Sequence, residues 1–158
     1  MRPRWILVLV LMTPVLVGAQ QVDQTKRIVA GRVIMDTDLT AALELQLVPP
    51  SVKTPDEVLI ALENRLLKLV EIGNTALATP TEEEVTTFRQ EWERALGSGD
   101  PVSARLAKVH MTEAELMAWL REDARIQKFQ RVRFGRDPNP DAAVTRWTQD
   151  LRRRAGLK

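Results

Sequence analysis

Apolar residues recur at helical spacing along most of the chain, and the most sharply bounded stretch is Thr112 to Gly135. At 100° per residue Leu116, Trp119, Leu120 and Phe134 share one face, Ile126 and Phe129 flank it, and Arg121, Arg125 and Lys128 point the other way. Thr112 followed by Glu115 forms a capping box, in which hydroxyl and carboxylate satisfy backbone N–H groups that a first turn leaves orphaned, and Gly135 stops the pattern. The spacing predicts one long helix whose stripe needs a partner surface. Asp123, Gln127 and Gln130 interrupt that stripe, so its second half is expected to leave the core or to meet polar groups of another helix.

Residues 27–35, RIVAGRVIM, are β-rich and broken by Gly31, which predicts a short strand or two strand fragments around a glycine bend. Asp36 and Thr37 are cap-type residues, and Leu39, Leu43 and Leu47 are spaced for a helix that Pro49 and Pro50 must end. Thr54, Pro55 and Glu57 open a second helix with a cap, a favoured first residue and a capping box. Up to Ile72 its apolar arc is wide, taking in Val58, Leu59, Leu62, Leu66, Leu69 and Val70 with Leu67 at the edge, so it is expected to be central. Gly73 closes it. Thr81 and Glu84 open a third helix with a narrow stripe, Val85, Phe88, Trp92 and Leu96, that packs on one side only. After the turn GSGDP at 97–101, Asp100 and Pro101 start a short helix containing Val102, Leu106 and Val109. Asn139 and Pro140 start a last helix with Val144, Trp147, Leu151 and Ala155 as its buried line, and Arg152, Arg153 and Arg154 complement its C-terminal dipole. The expected fold class is mainly α: a single helical domain of five to six helices with a short N-terminal β segment.

The first residues change the picture. Arg2 and Arg4, an apolar run from Trp5 to Val17, and small Gly18 and Ala19 before two glutamines have the form of a secretory signal peptide cleaved between Ala19 and Gln20. The run is shorter than the roughly 20 apolar residues of a spanning helix, and Pro14 lies inside it. The predicted organisation is therefore a signal over 1–19 and one domain over 20–158, long enough for its own core. Without residues 1–19 the chain carries 21 basic and 21 acidic side chains, a net charge of zero, with residues 121–158 at +6 and 20–120 at −6. Such asymmetry fits an intramolecular match between the halves, since no aromatic interleaving or nucleic-acid motif accompanies it. There is no cysteine, so an exported chain of this kind holds together by packing, without disulfides or a lipid anchor on a Cys. A bacterial-type signal places it in the periplasm or outside the cell.

Little in the chain points to catalysis. His110 is the only histidine, and with no Cys and no second His the usual nucleophile dyads and metal sets cannot be assembled. Glu82, Glu83 and Glu84 fall in the first turn of a helix, where the dipole favours negative charge, and read as structural. No phosphate-cradling glycine loop is present, and no cofactor or metal is implied. Trp92, Trp119 and Trp147 each fall on a buried stripe and read as core. Met111 and Met117 suit an adaptable surface better, because Met117 lies off the main stripe and thioethers tolerate varied partners.

A resemblance joins these elements. RIVAGRVIMDTDLTAALELQL resembles the start of the periplasmic SurA-type chaperones, whose Ile-Val-Ala strand, Val-Ile pair and Ser/Thr-Asp-Leu helix start correspond to Ile28 to Ala30, Val33 with Ile34, and Thr37 to Leu39. EVLIALENRLLKLVE at 57–71 resembles the family's Leu-Ile plus Leu-Leu helix. MTEAELMAWLREDARIQKFQRVRFG at 111–135 resembles its long helix ending in Arg-Phe, here Arg133 and Phe134, and WTQDLRRRAGLK at 147–158 its closing segment. The family's longer hairpin, with an Asn-Gly or Asp-Gly turn, is replaced by Ala30 running directly into Gly31. Many relatives also carry a parvulin prolyl-isomerase domain between the long and closing helices, and here only Gly135 to Asp141 joins them.

The resemblance implies the chaperone part without the isomerase: an exported, non-catalytic, chaperone-like protein that binds unfolded or partly folded envelope or outer-membrane polypeptides. It would cover apolar client segments in a groove shaped by helices 55–72 and 113–134, with Leu59, Leu67, Met111, Met117 and Phe129 as the expected peptide-binding residues. Expected partners are unfolded or nascent exported polypeptides, with self-association open, no nucleic acid, and membrane only through the signal segment. The alternative from another class is a dedicated helical adaptor for one envelope partner, engaged through the +6 end.

Overall fold

The structure, a computed structural model that describes residues 23–157, is mainly helical, with six α-helices after a two-stranded sheet. Strands β1 (Thr25–Val29) and β2 (Arg32–Met35) pair antiparallel, with Ile28 opposite Val33 and Val29 opposite Arg32. Ala30 and Gly31 form the turn at φ 49° and 79°. Two successive left-handed residues are what a two-residue turn of type I′ requires, so Ala-Gly closes the hairpin without the Asn or Asp usual at its first position. Period-two alternation sends Arg27, Val29, Arg32 and Ile34 toward the helices and leaves Ile28 and Val33 outside.

Helix α1 (Asp36–Glu44) begins one residue earlier than its cap-type residues suggest: Met35 holds the N-cap position, and its backbone N–H donates to Asp38 Oδ2 at 2.8 Å. It also stops short of Pro49. Gln46 turns left-handed at φ 49° and redirects the chain; the buried face of α1 runs through Leu39, Ala41, Ala42 and Leu45, and Leu43 faces solvent.

Helix α2 (Pro55–Ile72) has the predicted bounds and capping box, and it is the hub of the fold, packed against the hairpin, α1, α5 and α6. Its buried arc includes Leu67 and even Glu63, whereas Val70, in the last turn, is half exposed. A 3₁₀ turn at Ala76–Ala78 leads to α3 (Glu82–Leu96), then α4 (Val102–Lys108), α5 (Glu113–Phe134) and α6 (Pro140–Arg154). Each of the three Thr-x-x-Glu boxes caps its helix as expected; in the last, Glu115 N–H donates to Thr112 Oγ1 at 3.2 Å. Gly135 caps α5, donating its N–H to the Arg131 carbonyl oxygen at 3.0 Å, and a Cβ there would run into that oxygen.

Two cores share α5. Its first half, with Leu116 and Leu120, closes over Leu45, Trp92, Leu96 and Leu106. Its second half stays in the core at Ile126, where Phe129 and Phe134 lie 5.4 and 5.5 Å from the Trp147 ring of α6. The opposite charges of the two halves meet within the molecule. Arg121 binds Glu82 at 2.8 Å, Lys128 and Arg131 bind Glu84 at 2.7 and 2.9 Å, and Arg154 binds Glu71 at 3.1 Å. The Lys128 contact and the Thr81 backbone N–H hold the Glu84 carboxyl below its usual range. The +6 segment therefore spends much of its charge on its own domain.

Candidate functional site

Where α2 and α5 diverge, the loop at 47–52 does not close the gap, and a groove of about 710 Å³ remains between them. One face of α2 forms its length: Glu57, Ile60, Ala61, Asn64 and Lys68 recur at the three- and four-residue steps that align side chains on a helix. Ile126, Gln127 and Gln130 of α5 form the facing wall, while Val48 and Val52 of the loop and Phe88 of α3 add apolar surface. Ile60 is 46% exposed, a large apolar side chain only partly covered by the fold. The amides of Gln127 and Gln130 beside an apolar wall, with Asn64 whose oxygen accepts from Arg152 at 3.0 Å, suit a ligand with both carbon surface and hydrogen-bonding groups.

The polar floor is built by α2 and α5 together. Arg65 Nε donates to Asp123 Oδ1 at 2.6 Å, and its Nη2 donates to Glu122 Oε2 at 2.8 Å and to the Trp119 carbonyl at 3.2 Å. The guanidinium lies 4.1 Å from the Trp119 ring centre, in cation–π range. Asp123 thus meets a polar group of another helix, as its place in the α5 stripe predicted. Burial pushes its carboxyl above the usual value, and the adjacent Arg65 opposes that rise. The Trp119 indole N–H is buried without a hydrogen bond of good geometry, though it lies near enough to Asp123 to favour the charged carboxylate. Lys68 is lowered from the usual lysine value by burial, with the Asp123 charge opposing.

No family model, curated protein or solved structure matches the chain. The likeness to SurA-type chaperones accordingly rests on the quoted segments alone.

The five residues expected to bind peptide lie elsewhere. Leu67 is 6% exposed and belongs to the core beside Leu59, which is half-buried. Phe129 packs on Trp147, and Met111 and Met117 close the second core, where Arg89 Nη1 approaches Met117 Sδ at 3.3 Å. The groove runs between the two helices named for it but uses their other faces. A signal was present in the sequence: Gln127 and Gln130 break the α5 stripe one turn apart, and Ile60 lies off the α2 arc. Ala19 and Gln20 fall outside the described residues. His110 is exposed, at φ 53° in the turn before α5. Among the described residues no group of three His, Cys, Asp or Glu side chains is placed to hold a metal, and no helix is long and apolar enough to cross a membrane.

Proposed function

We propose that this chain is an exported, non-catalytic chaperone of the SurA type without an isomerase domain, which holds unfolded envelope polypeptides by covering short apolar segments in the α2/α5 groove. The observation that carries the reading is the groove itself: it presents Ile60 and the loop valines, and it offers the amides of Gln127 and Gln130. An unfolded chain presents apolar side chains and a regular series of backbone N–H and C=O groups, and this surface can engage both. Weak, sequence-tolerant contacts of this kind suit a client that must leave again.

The test is light scattering from a diluted, denatured outer-membrane protein, with and without the purified chain, beside an inert protein of equal size and with a second, unrelated client. Suppression near stoichiometric ratios is expected. Ile60→Glu, which changes an exposed side chain rather than the core, is expected to raise the concentration needed about ten-fold, the worth of one well-covered apolar anchor. If the folded protein suppresses nothing and captures a single folded partner from envelope extract, the adaptor reading replaces this one. Export has its own check: the intact mass of the secreted protein is expected to begin at Gln20, and a mass retaining Met1 would contradict cleavage.

A further inference from the structure

Lys68 lies on the groove face of α2, three turns from Glu57, and among the described residues its ammonium has neither a salt bridge nor a hydrogen bond; it lies 6.0 Å from the centre of the Trp147 ring and feels the Asp123 charge at longer range. The other charged groups of the groove are already engaged. Asp123 is bound by Arg65, and Glu57 accepts from the Lys53 and Thr54 backbone N–H groups at 2.8 and 3.0 Å as the cap of α2. A half-buried ammonium with three donors and no hydrogen-bonded acceptor loses hydration that the Asp123 charge offsets only in part. The lowering of its proton affinity by burial agrees with that geometry. A ligand carboxylate reaching this point would supply a hydrogen-bonded partner, with the Arg65-bound Asp123 and the cap carboxylate Glu57 as the negative charges it meets in the groove.

The spacing along α2 adds a ruler. Ile60, the exposed apolar anchor, precedes Lys68 by eight residues, roughly 12 Å of helix, which an extended polypeptide covers in between three and four residues. Building on the reading of the groove as a polypeptide site, we infer that it prefers an extended segment whose apolar side chain lies on Ile60 and whose Asp or Glu, about three or four residues away, docks on Lys68. Unfolded chains would then be held with a preference for apolar stretches bounded by an acidic residue.

The full-length protein decides this by fluorescence anisotropy with labelled peptides in an unstructured Ser/Gly background. One set carries a Leu and, four positions along, Glu, Gln or Lys; a further peptide places the Glu next to the Leu. The Glu peptide at the four-residue spacing is expected to bind about ten-fold more tightly than the Gln peptide, the usual worth of one partly buried charged hydrogen bond. Lys68→Met is expected to abolish that preference, and Lys68→Glu to transfer it to the Lys peptide. The wild-type comparison does not depend on any variant folding, and circular dichroism checks those that are made. Equal affinity for all spacings and charges, with binding still lost in Ile60→Glu, would overturn the carboxylate site and leave the groove reading intact. Binding of no peptide would overturn both, as would a dimer in sedimentation that Ile60→Glu dissociates, because the groove would then be covered by a second copy.

Discussion

Replacing Trp92 with alanine is expected to cost about 4 kcal/mol of unfolding free energy, because it opens a large cavity and orphans a carbonyl in the same stroke. Trp92 is 8% exposed and closes the second core against Leu96, Leu106, Leu116 and Leu120. Its indole N–H donates to the Leu45 carbonyl at 2.9 Å, immediately before Gln46 turns left-handed. That bond ties α3 to the end of α1 and fixes where the 47–52 loop departs, so the loop wall of the groove depends on it. Trp92→Phe keeps most of the volume but loses the donor, and is expected to cost about 1–2 kcal/mol. Urea unfolding of the three proteins measures both values. The contrast between function and stability is the sharper check. Trp92→Phe should remain folded yet weaken peptide binding, because the loop carrying Val48 and Val52 has lost its anchor. A Phe variant that binds as well as the parent would show that the loop is positioned without Trp92, and a loss below about 1 kcal/mol in the alanine variant would contradict the packing described.

What could be read in the chain was local. The bounds of α2, α3, α5 and α6 follow from Thr54, Thr81, Thr112 and Asn139, each of which caps a turn within three residues of itself. The weaker assignments failed where tertiary contacts override local chemistry. Leu43 continues the helical spacing of Leu39 but faces solvent, because the face α1 turns to the core runs through Ala41, Ala42 and Leu45, which recur at three- and four-residue steps. The groove is half legible in the sequence: its two helices and the polar breaks at Gln127 and Gln130 on its α5 wall can be read there, whereas Leu59, Leu67 and Phe129 of the apolar stripes do not line it. Periodicity separates an apolar face from a polar one, but it does not say which neighbour will cover the apolar face. Leu59 and Leu67 are covered, and Ile60 is left bare. The Arg65–Asp123 pair joins positions 58 residues apart and the Arg152–Glu63 pair positions 89 apart, separations at which no spacing rule operates.

Glu63 is the residue that sequence reasoning had least reason to place in a core, and its removal carries the second large prediction. It is 2% exposed, with Oε1 3.0 Å from Arg27 Nε of the hairpin and Oε2 2.9 Å from Arg152 Nη1 of α6. One carboxylate thus joins the hairpin and α6 through α2. Arg27 is half exposed and can turn its guanidinium to water, but the Arg152 side chain is only 15% exposed and cannot do so without opening α6. Glu63→Ala is therefore expected to destabilise by about 3 kcal/mol, because Arg152 keeps its bond to the Asn64 side-chain oxygen at 3.0 Å but loses the negative charge that balances it. The lost attraction and the cost of the charge left behind separate in a double-variant cycle. Arg152→Leu together with Glu63→Leu removes both charges and fills the space, and is expected to recover most of the loss, since a buried pair and a well-packed apolar pair are often nearly equal in energy. A double variant no more stable than Glu63→Leu alone would show that the lost attraction, and not the charge left behind on Arg152, accounts for the destabilisation. Because α6 supplies Trp147, the ring nearest the Lys68 ammonium, loosening it in the Glu63→Ala protein should also blunt the preference for acidic peptides, while the recovered double variant should restore it.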